Sequence, residues 1–379
     1  MKRKLAGILL SLALVCSVPV MGAEVPEETV DELYQEQLEQ SGANEWMDML
    51  PPETQNLLEG LGVYGADWEQ SSVEPEGFFE MTVSLFTGGM AEPLRAAASL
   101  IGIMLLCALI GGLRISFGER QLGSVMAAIG TLCACTVITP PILSCIQQSS
   151  ELIKGAGAFL LAGVPILAGI MLAAGQAVSA SGWTIFLLAA GNAISFLSTV
   201  VLMPMMNIFL AFSLVSALSP EIRLDGLCTV FAKTVRWVLV LAVTIFTSLL
   251  SAQSIVSAAA DGVSAKAAKM VTGFIPVVGG VLGDAAGTVQ GCIKLLRSGV
   301  GAFGLVAGLC LFLPVIIRCL LWIFCCTVCS AVGDLIGFSE ITGILKAASQ
   351  LLQTLLAIVV SCGVVLIVAA VFVMQGGSG

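Results

Sequence analysis

From residue 97 onward the chain alternates between long apolar runs and short polar or Gly/Pro-rich breaks. The runs predict membrane-crossing helices at about 97–113, 122–145, 156–174, 183–202, 203–219, 237–257, 300–328 and 351–374. Each approaches the roughly 20 residues that a helix needs to cross the hydrocarbon of a bilayer. The breaks fall at Arg114–Arg120, Gln147–Lys154, Gly175–Gly182 and Pro220–Arg236. The apolar stretch 183–219 is too long for one crossing, and Pro204 with Asn207 allows either a tight hairpin there or one kinked helix. This pattern predicts an all-α polytopic membrane protein of about seven or eight spans.

The first 23 residues have a different pattern. Lys2, Arg3 and Lys4 precede an apolar run from Leu5 to Val18, and Pro19, Gly22 and Ala23 follow. Fourteen helical residues rise only about 21 Å, short of the roughly 30 Å core, so 1–23 reads as a signal peptide cleaved after Gly22 or Ala23. The alternative is an uncleaved signal anchor. In both cases Glu24 onward lies outside the cytoplasm.

Residues 24–80 form an acidic extracytoplasmic segment. They carry sixteen Asp and Glu and no Lys or Arg. Val30, Leu33, Tyr34 and Leu38 recur at helical spacing, Pro51-Pro52 stops that stretch, and Leu57, Leu58 and Leu61 predict one further short helix. Trp46 and Trp68 stand out as aromatics in this segment. Uncompensated acids fit two descriptions, a protein-docking surface or a solvated arm. The remaining part, 81–379, carries nine acids and thirteen bases and forms the polytopic domain.

Composition narrows the chemistry. Of 379 residues 58% are apolar and 11% charged, less than half the charge of an ordinary soluble domain. There is no His, so the commonest general base and metal ligand is missing. The net charge of −9 gives no footprint for nucleic acid. No phosphate-binding loop, dinucleotide glycine fingerprint or nucleophile elbow occurs, so no catalytic site, cofactor or metal is expected. The pair Cys326-x-x-Cys329 has no second pair to complete a metal set, and the apolar run around it fits buried thiols.

The polar segment 258–297 is where the expected topology is least determined. With Glu24 outside, the Arg114–Arg120 loop falls inside, as the positive-inside rule asks, whereas Lys266 and Lys269 fall outside against it. The Gly-rich part at 271–297 reads Phe274-Ile275-Pro276-Val277-Val278-Gly279-Gly280, then Gly283-Asp284. Gly279, Gly283, Gly287 and Gly291 recur every four residues and would form one stripe on a helix, over which another helix can approach closely. Either this is a re-entrant or cavity-lining helix with Asp284 in a wet pathway, or an interfacial helix with Asp284 paired or solvated. The helix-packing or pathway-lining candidates are Pro276, Gly279, Gly280, Gly283, Asp284, Gly287 and Gly291. Lys294 lies too far along the same helix to pair with Asp284, so its partner is water, a neighbouring helix such as one carrying Arg318, or a solute.

Signal peptide, acidic extracytoplasmic segment, many-span body and the Phe274–Gly280 run with Gly283-Asp284 together resemble the stage III sporulation protein AE family. The resemblance implies a component, made in the mother cell, of the membrane surrounding the forespore. It would belong to the channel apparatus built with the other stage III sporulation membrane proteins of the same set. It leaves self-association into a homo-oligomer open. The other readings are a stand-alone solute permease lined by 274–297 and a scaffold that ring-forming partners need. Sparse intramembrane charge places scaffold or passive conduit ahead of pump.

Overall fold

The structure is a computed structural model that describes residues 36, 38, 39, 41–65, 75–114, 121–173, 175–196, 204, 206–209, 211, 225–273 and 279–375. The signal peptide, Trp68, the loop 115–120 and the motif residues 274–278, with Pro276, lie outside them. Every element among the described residues is helical. A 3-10 segment, Ala43–Met49, leads to α1 (Pro52–Gly60), α2 (Pro75–Gly89) and α3 (Ala91–Arg114). There follow α4 (Gln121–Ala173), α5 (Ala177–Phe196), α6 (Asp225–Gly273), α7 (Gly279–Ile336) and α8 (Ser339–Gln375).

Six helical stretches among these residues are long and apolar enough to cross a membrane: Pro75–Ile110, Ala128–Ala173, Ala177–Ile194, Ala232–Gln253, Ser298–Ile336 and Glu340–Val371. The count falls below the expected seven or eight for two reasons. The predicted break at Gln147–Lys154 is not a break: α4 runs straight through it for 53 residues, about 80 Å. That polar stretch, Gln147-Gln-Ser-Ser-Glu-Leu-Ile-Lys154, contains good helix formers and neither Gly nor Pro, so polarity there does not interrupt the backbone. The stretch 203–219 lies largely outside the described residues, but 206–209 is helical, which removes Asn207 as a turn position. The helix α2 runs through residue 80 unbroken.

Two tight turns define the body. At Gly175 (φ 71°) the Gln176 N–H donates to the Met171 carbonyl, 2.9 Å, closing α4 into α5. At Gly337 (φ 88°) the Phe338 N–H donates to the Gly333 carbonyl, 3.1 Å, closing α7 into α8. Both are left-handed glycine caps, where a side chain would be strained and where the turn satisfies the last carbonyls of the helix. The resulting hairpins pack antiparallel. A Cβ on Gly191 of α5 would strike Leu161 of α4, and one on Gly308 of α7 would strike Leu366 of α8.

The two hairpins turn at opposite ends of the body. Near the Gly337 turn, Gly130 at the start of α4 meets Cys107 of α3 and Ile341 of α8, and Gly333 meets Met104. Toward the Gly175 turn, Leu167, Leu187, Val300, Leu366 and Ala370 come together from α4, α5, α7 and α8. Apolar side chains fill the interior between these ends, among them Phe159, Phe303, Ile146, Trp322 and Leu355.

Candidate functional site

At the Gly175 end the bundle is completed by the acidic segment. The 3-10 segment and α1 are amphipathic: Leu38, Ala43, Trp46, Met47, Leu50, Leu58, Leu61 and Val63 are buried. Glu45, Asp48, Glu53 and Glu59 stay exposed. The part of the arm that is described is therefore docked on the body, with its acids facing outward. Residues 41–63 thus pack on the body through their apolar face, an arrangement that neither sequence-level description, a protein-docking surface or a solvated arm, anticipates.

Trp46 is the centre of this contact. Its indole lies flat on Phe159 of α4, ring centroids 4.6 Å apart and 8° from parallel, and is tilted against Phe303 of α7 at 5.7 Å. Its Nε1–H donates to the Phe159 carbonyl at 3.0 Å, so the polar end of the ring is satisfied inside the core. Room for the ring comes from glycine. A Cβ on Gly163 would come within 2.5 Å of the indole, and one on Gly304 within 3.4 Å. A small apolar cavity continues beside the ring toward Leu187, Leu366 and Ala369.

Nearer the middle of the body, Arg318 of α7 donates to Glu92 of α3 at 3.1 Å. Below this pair the α7 thiols contact the neighbouring helix, Cys325 Sγ donating to the Pro93 carbonyl at 3.3 Å. Small polarizable thiols let the α3 and α7 backbones come close, which is packing chemistry. A second ion pair, Lys346 to Asp334 at 2.8 Å, spans the α7–α8 hairpin near its turn. Among the described residues, no three of His, Cys, Asp and Glu gather as a metal ion would require.

The sequence-predicted stripe lies elsewhere. Gly279, Gly280, Gly283, Asp284 and Gly287 occupy the first turns of α7, and Gly291 follows on the same helix. Gly279 precedes Gly304 by 25 residues, about 37 Å of helix, whereas α4 ends ten residues past Gly163. At Gly291 an added Cβ would meet nothing within 4 Å, so no described part of this chain packs over the stripe there. Of the partners left open for Asp284, namely water, a neighbouring helix such as one carrying Arg318, or a solute, Arg318 is removed. Asp284 and Arg318 lie on the same helix, α7, 34 residues or about 51 Å apart, and Arg318 is already paired with Glu92.

Close-packed glycines among the described residues include Gly130, Gly163, Gly191, Gly304, Gly308 and Gly333. A signal for two of them exists, because Gly304 and Gly308 stand one turn apart in an apolar run. The role of Trp46 has no such signal, since its partner is 113 positions away.

Comparison with known proteins bears on the whole body. The family model described as stage III sporulation protein AE (spore_III_AE) matches residues 66–377, which takes in all the membrane-length helices and leaves the Trp46 segment outside. A curated relative, Stage III sporulation protein AE of Bacillus subtilis (strain 168), is 26% identical over 218 residues. That alignment covers 57% of this chain and 55% of the relative, so the chain spans about half the length of the curated relative it matches. No solved structure matches. With the family model covering most of its length, the chain belongs to the stage III sporulation protein AE family.

Proposed function

We propose that this chain is a multi-pass, non-enzymatic membrane component of a transport or channel apparatus that links mother cell and forespore during sporulation. The observation that carries the reading is the family match over 66–377, which coincides with the six apolar helices. The orientation follows from charge. The docked acidic arm lies at the Gly175 end, while Arg114 and Lys346 lie toward the Gly337 end, so the latter faces the cytoplasm. The partners are the other stage III sporulation membrane proteins of the same apparatus.

A scaffold role within that apparatus is the second reading, favoured by a specific observation. The interior between α4, α7 and α8 is filled by Phe159, Phe303, Trp322 and aliphatic side chains, which suits a rigid support better than a pore through one copy. The test is a detergent-solubilised pull-down of the full chain from sporulating cells. Co-purification of other stage III sporulation membrane proteins is expected. A chain that comes out alone, at full yield, contradicts membership of such an apparatus and returns a stand-alone permease to the front.

A further inference from the structure

Four of the six apolar stretches are too long for one bilayer. They run 36, 46, 39 and 32 residues on α2–α3, α4, α7 and α8, about 48–69 Å of helix. Crossing the roughly 30 Å hydrocarbon core uses only about 39 Å of helix even at a 40° tilt. The stretches on α5 and α6, 18 and 22 residues, are short enough. The long helices lie side by side, Gly130 of α4 meeting Ile341 of α8 and Phe159 of α4 meeting Phe303 of α7. Part of the apolar body therefore stands outside the hydrocarbon. Charge divides the body at mid-height. Glu92 and Arg95 of α3, Glu151 and Lys154 of α4 and Arg318 of α7 gather there, their level set by the Arg318–Glu92 pair and the contact of the Cys145 and Cys319 thiols. Toward the Gly337 turn the next charges are Arg114 on α3 and Asp334 on α7, about 28 and 24 Å away, close to one hydrocarbon thickness.

Toward the Gly175 turn α4 and α7 are again uncharged, to Ala173 and back to Ser298, but here the acidic arm is docked. Pro51 lies over Gly155 and Trp46 over Gly163, with Glu45, Asp48, Glu53 and Glu59 exposed. Carboxylates facing lipid at membrane depth are costly, so the arm marks this half as the wet one. Gly191 of α5 meets Gly157 and Leu161, the same turns of α4 that receive Trp46, so α5 stands at the height of the arm. The helix α6 packs on α5 and α8. Both α5 and α6 turn large apolar side chains outward, Ile185 and Trp237 at 67% exposure with Phe196, Val240 and Leu249. No charge occurs on α5 or over 237–260 of α6. We propose that hydrocarbon surrounds only the Gly337 half, and that the adjacent outward faces of α5 and α6, above it, dock a second copy of this chain. An apolar face that lipid does not reach needs protein cover. Two copies in one membrane share their orientation, and a two-fold axis along its normal brings the same face to the same height on each. Two neighbouring helices about 20 Å across and about 30 Å long offer roughly 600 Å² per copy, so the pair buries about 1,200 Å², the size of a stable interface. Meeting through the arm would instead oppose Glu45, Asp48, Glu53 and Glu59 to themselves.

The test expresses the full chain alone, so that no other sporulation protein enters, and reads membrane abundance and, in mild detergent, mass by light scattering. Leu106 of α3 is 62% exposed near the centre of the Gly337 half. Leu106→Lys places a charge in hydrocarbon and should cut membrane abundance roughly tenfold. Ile185→Lys and Val240→Lys should keep the parent's abundance. The parent should have the mass of a dimer, and both of these variants that of a monomer. A monomeric parent, or a dimer that survives both lysines, overturns the docked copy. A loss of abundance at both Ile185→Lys and Val240→Lys as large as at Leu106→Lys shows these faces in lipid and overturns the proposal, as does an unchanged Leu106→Lys. Where one of the two upper variants misfolds, the other decides.

Discussion

Trp46 and Phe159 are bound twice over: the indole stacks on the phenyl ring at 4.6 Å, and its N–H bonds the Phe159 backbone carbonyl at 3.0 Å. One residue of the acidic segment is thereby fixed to the middle of a helix 113 positions later. The two interactions fail separately. Trp46→Phe keeps an aromatic ring and loses the hydrogen bond, costing about 1 kcal/mol. Trp46→Ala loses both and opens a cavity, costing about 3–5 kcal/mol. Thermal unfolding of the detergent-solubilised chain should rank parent, Phe, then Ala. An Ala variant as stable as the parent contradicts the docking.

Glycines at this end are expected to divide by what surrounds them. Gly163→Ala drives a methyl into the Trp46 indole, and Gly308→Ala drives one into Leu366, so both should destabilise. Gly169→Ala and Gly291→Ala meet nothing within 4 Å and should gain up to about 1 kcal/mol from helix propensity. The melting temperatures of the four variants check the division. A loss at Gly291 as large as at Gly163 would show that the outer stripe is covered in the isolated chain.

Much of the fold is legible in the sequence because its cause is local. The apolar runs of α3, α6, α7 and α8 and the short helix around Leu57 and Leu58 follow from composition and spacing, and the described structure contains them. The Gln147–Lys154 stretch was misleading because polarity is a poor guide to backbone breaks when the residues are good helix formers. The site was less legible. Trp46 stands out as an aromatic, but the notch that receives it is made by Gly163 and Gly304, brought together only by tertiary packing. The regular stripe at 279–291 drew attention through its period, and a period does not say which helix lies opposite.

Glu92 and Arg318 are expected to be coupled. Neutralising one partner leaves the other as a lone charge among apolar helices, while neutralising both removes the problem. Glu92→Gln and Arg318→Gln should each lower the amount of folded protein, and the double variant should lower it less than the two effects combined. Immunoblotting of membrane fractions measures this. Strict additivity would show that the pair is not a working contact.

Asp284 should behave differently. It lies on α7, about 51 Å from Arg318, so Asp284→Asn leaves the Glu92 pair untouched. The expected outcome is normal protein abundance with reduced spore yield, as for a carboxylate that contacts a solute or a partner. Reduced abundance would instead make Asp284 a buried structural ion, and normal values for both would remove it from the candidates.

The central claim is that the docked arm and the α7–α8 turn lie on opposite sides of the membrane, with the arm outside. Asp48 is exposed beside Trp46, and Lys346 is exposed near the Gly337 turn. Single cysteines at these positions, in a background controlled for native thiols, can be tested in intact cells with a membrane-impermeant thiol reagent. Asp48→Cys should react at once, and Lys346→Cys only after permeabilisation. Labelling of Lys346→Cys in intact cells, or protection of Asp48→Cys, would contradict the account.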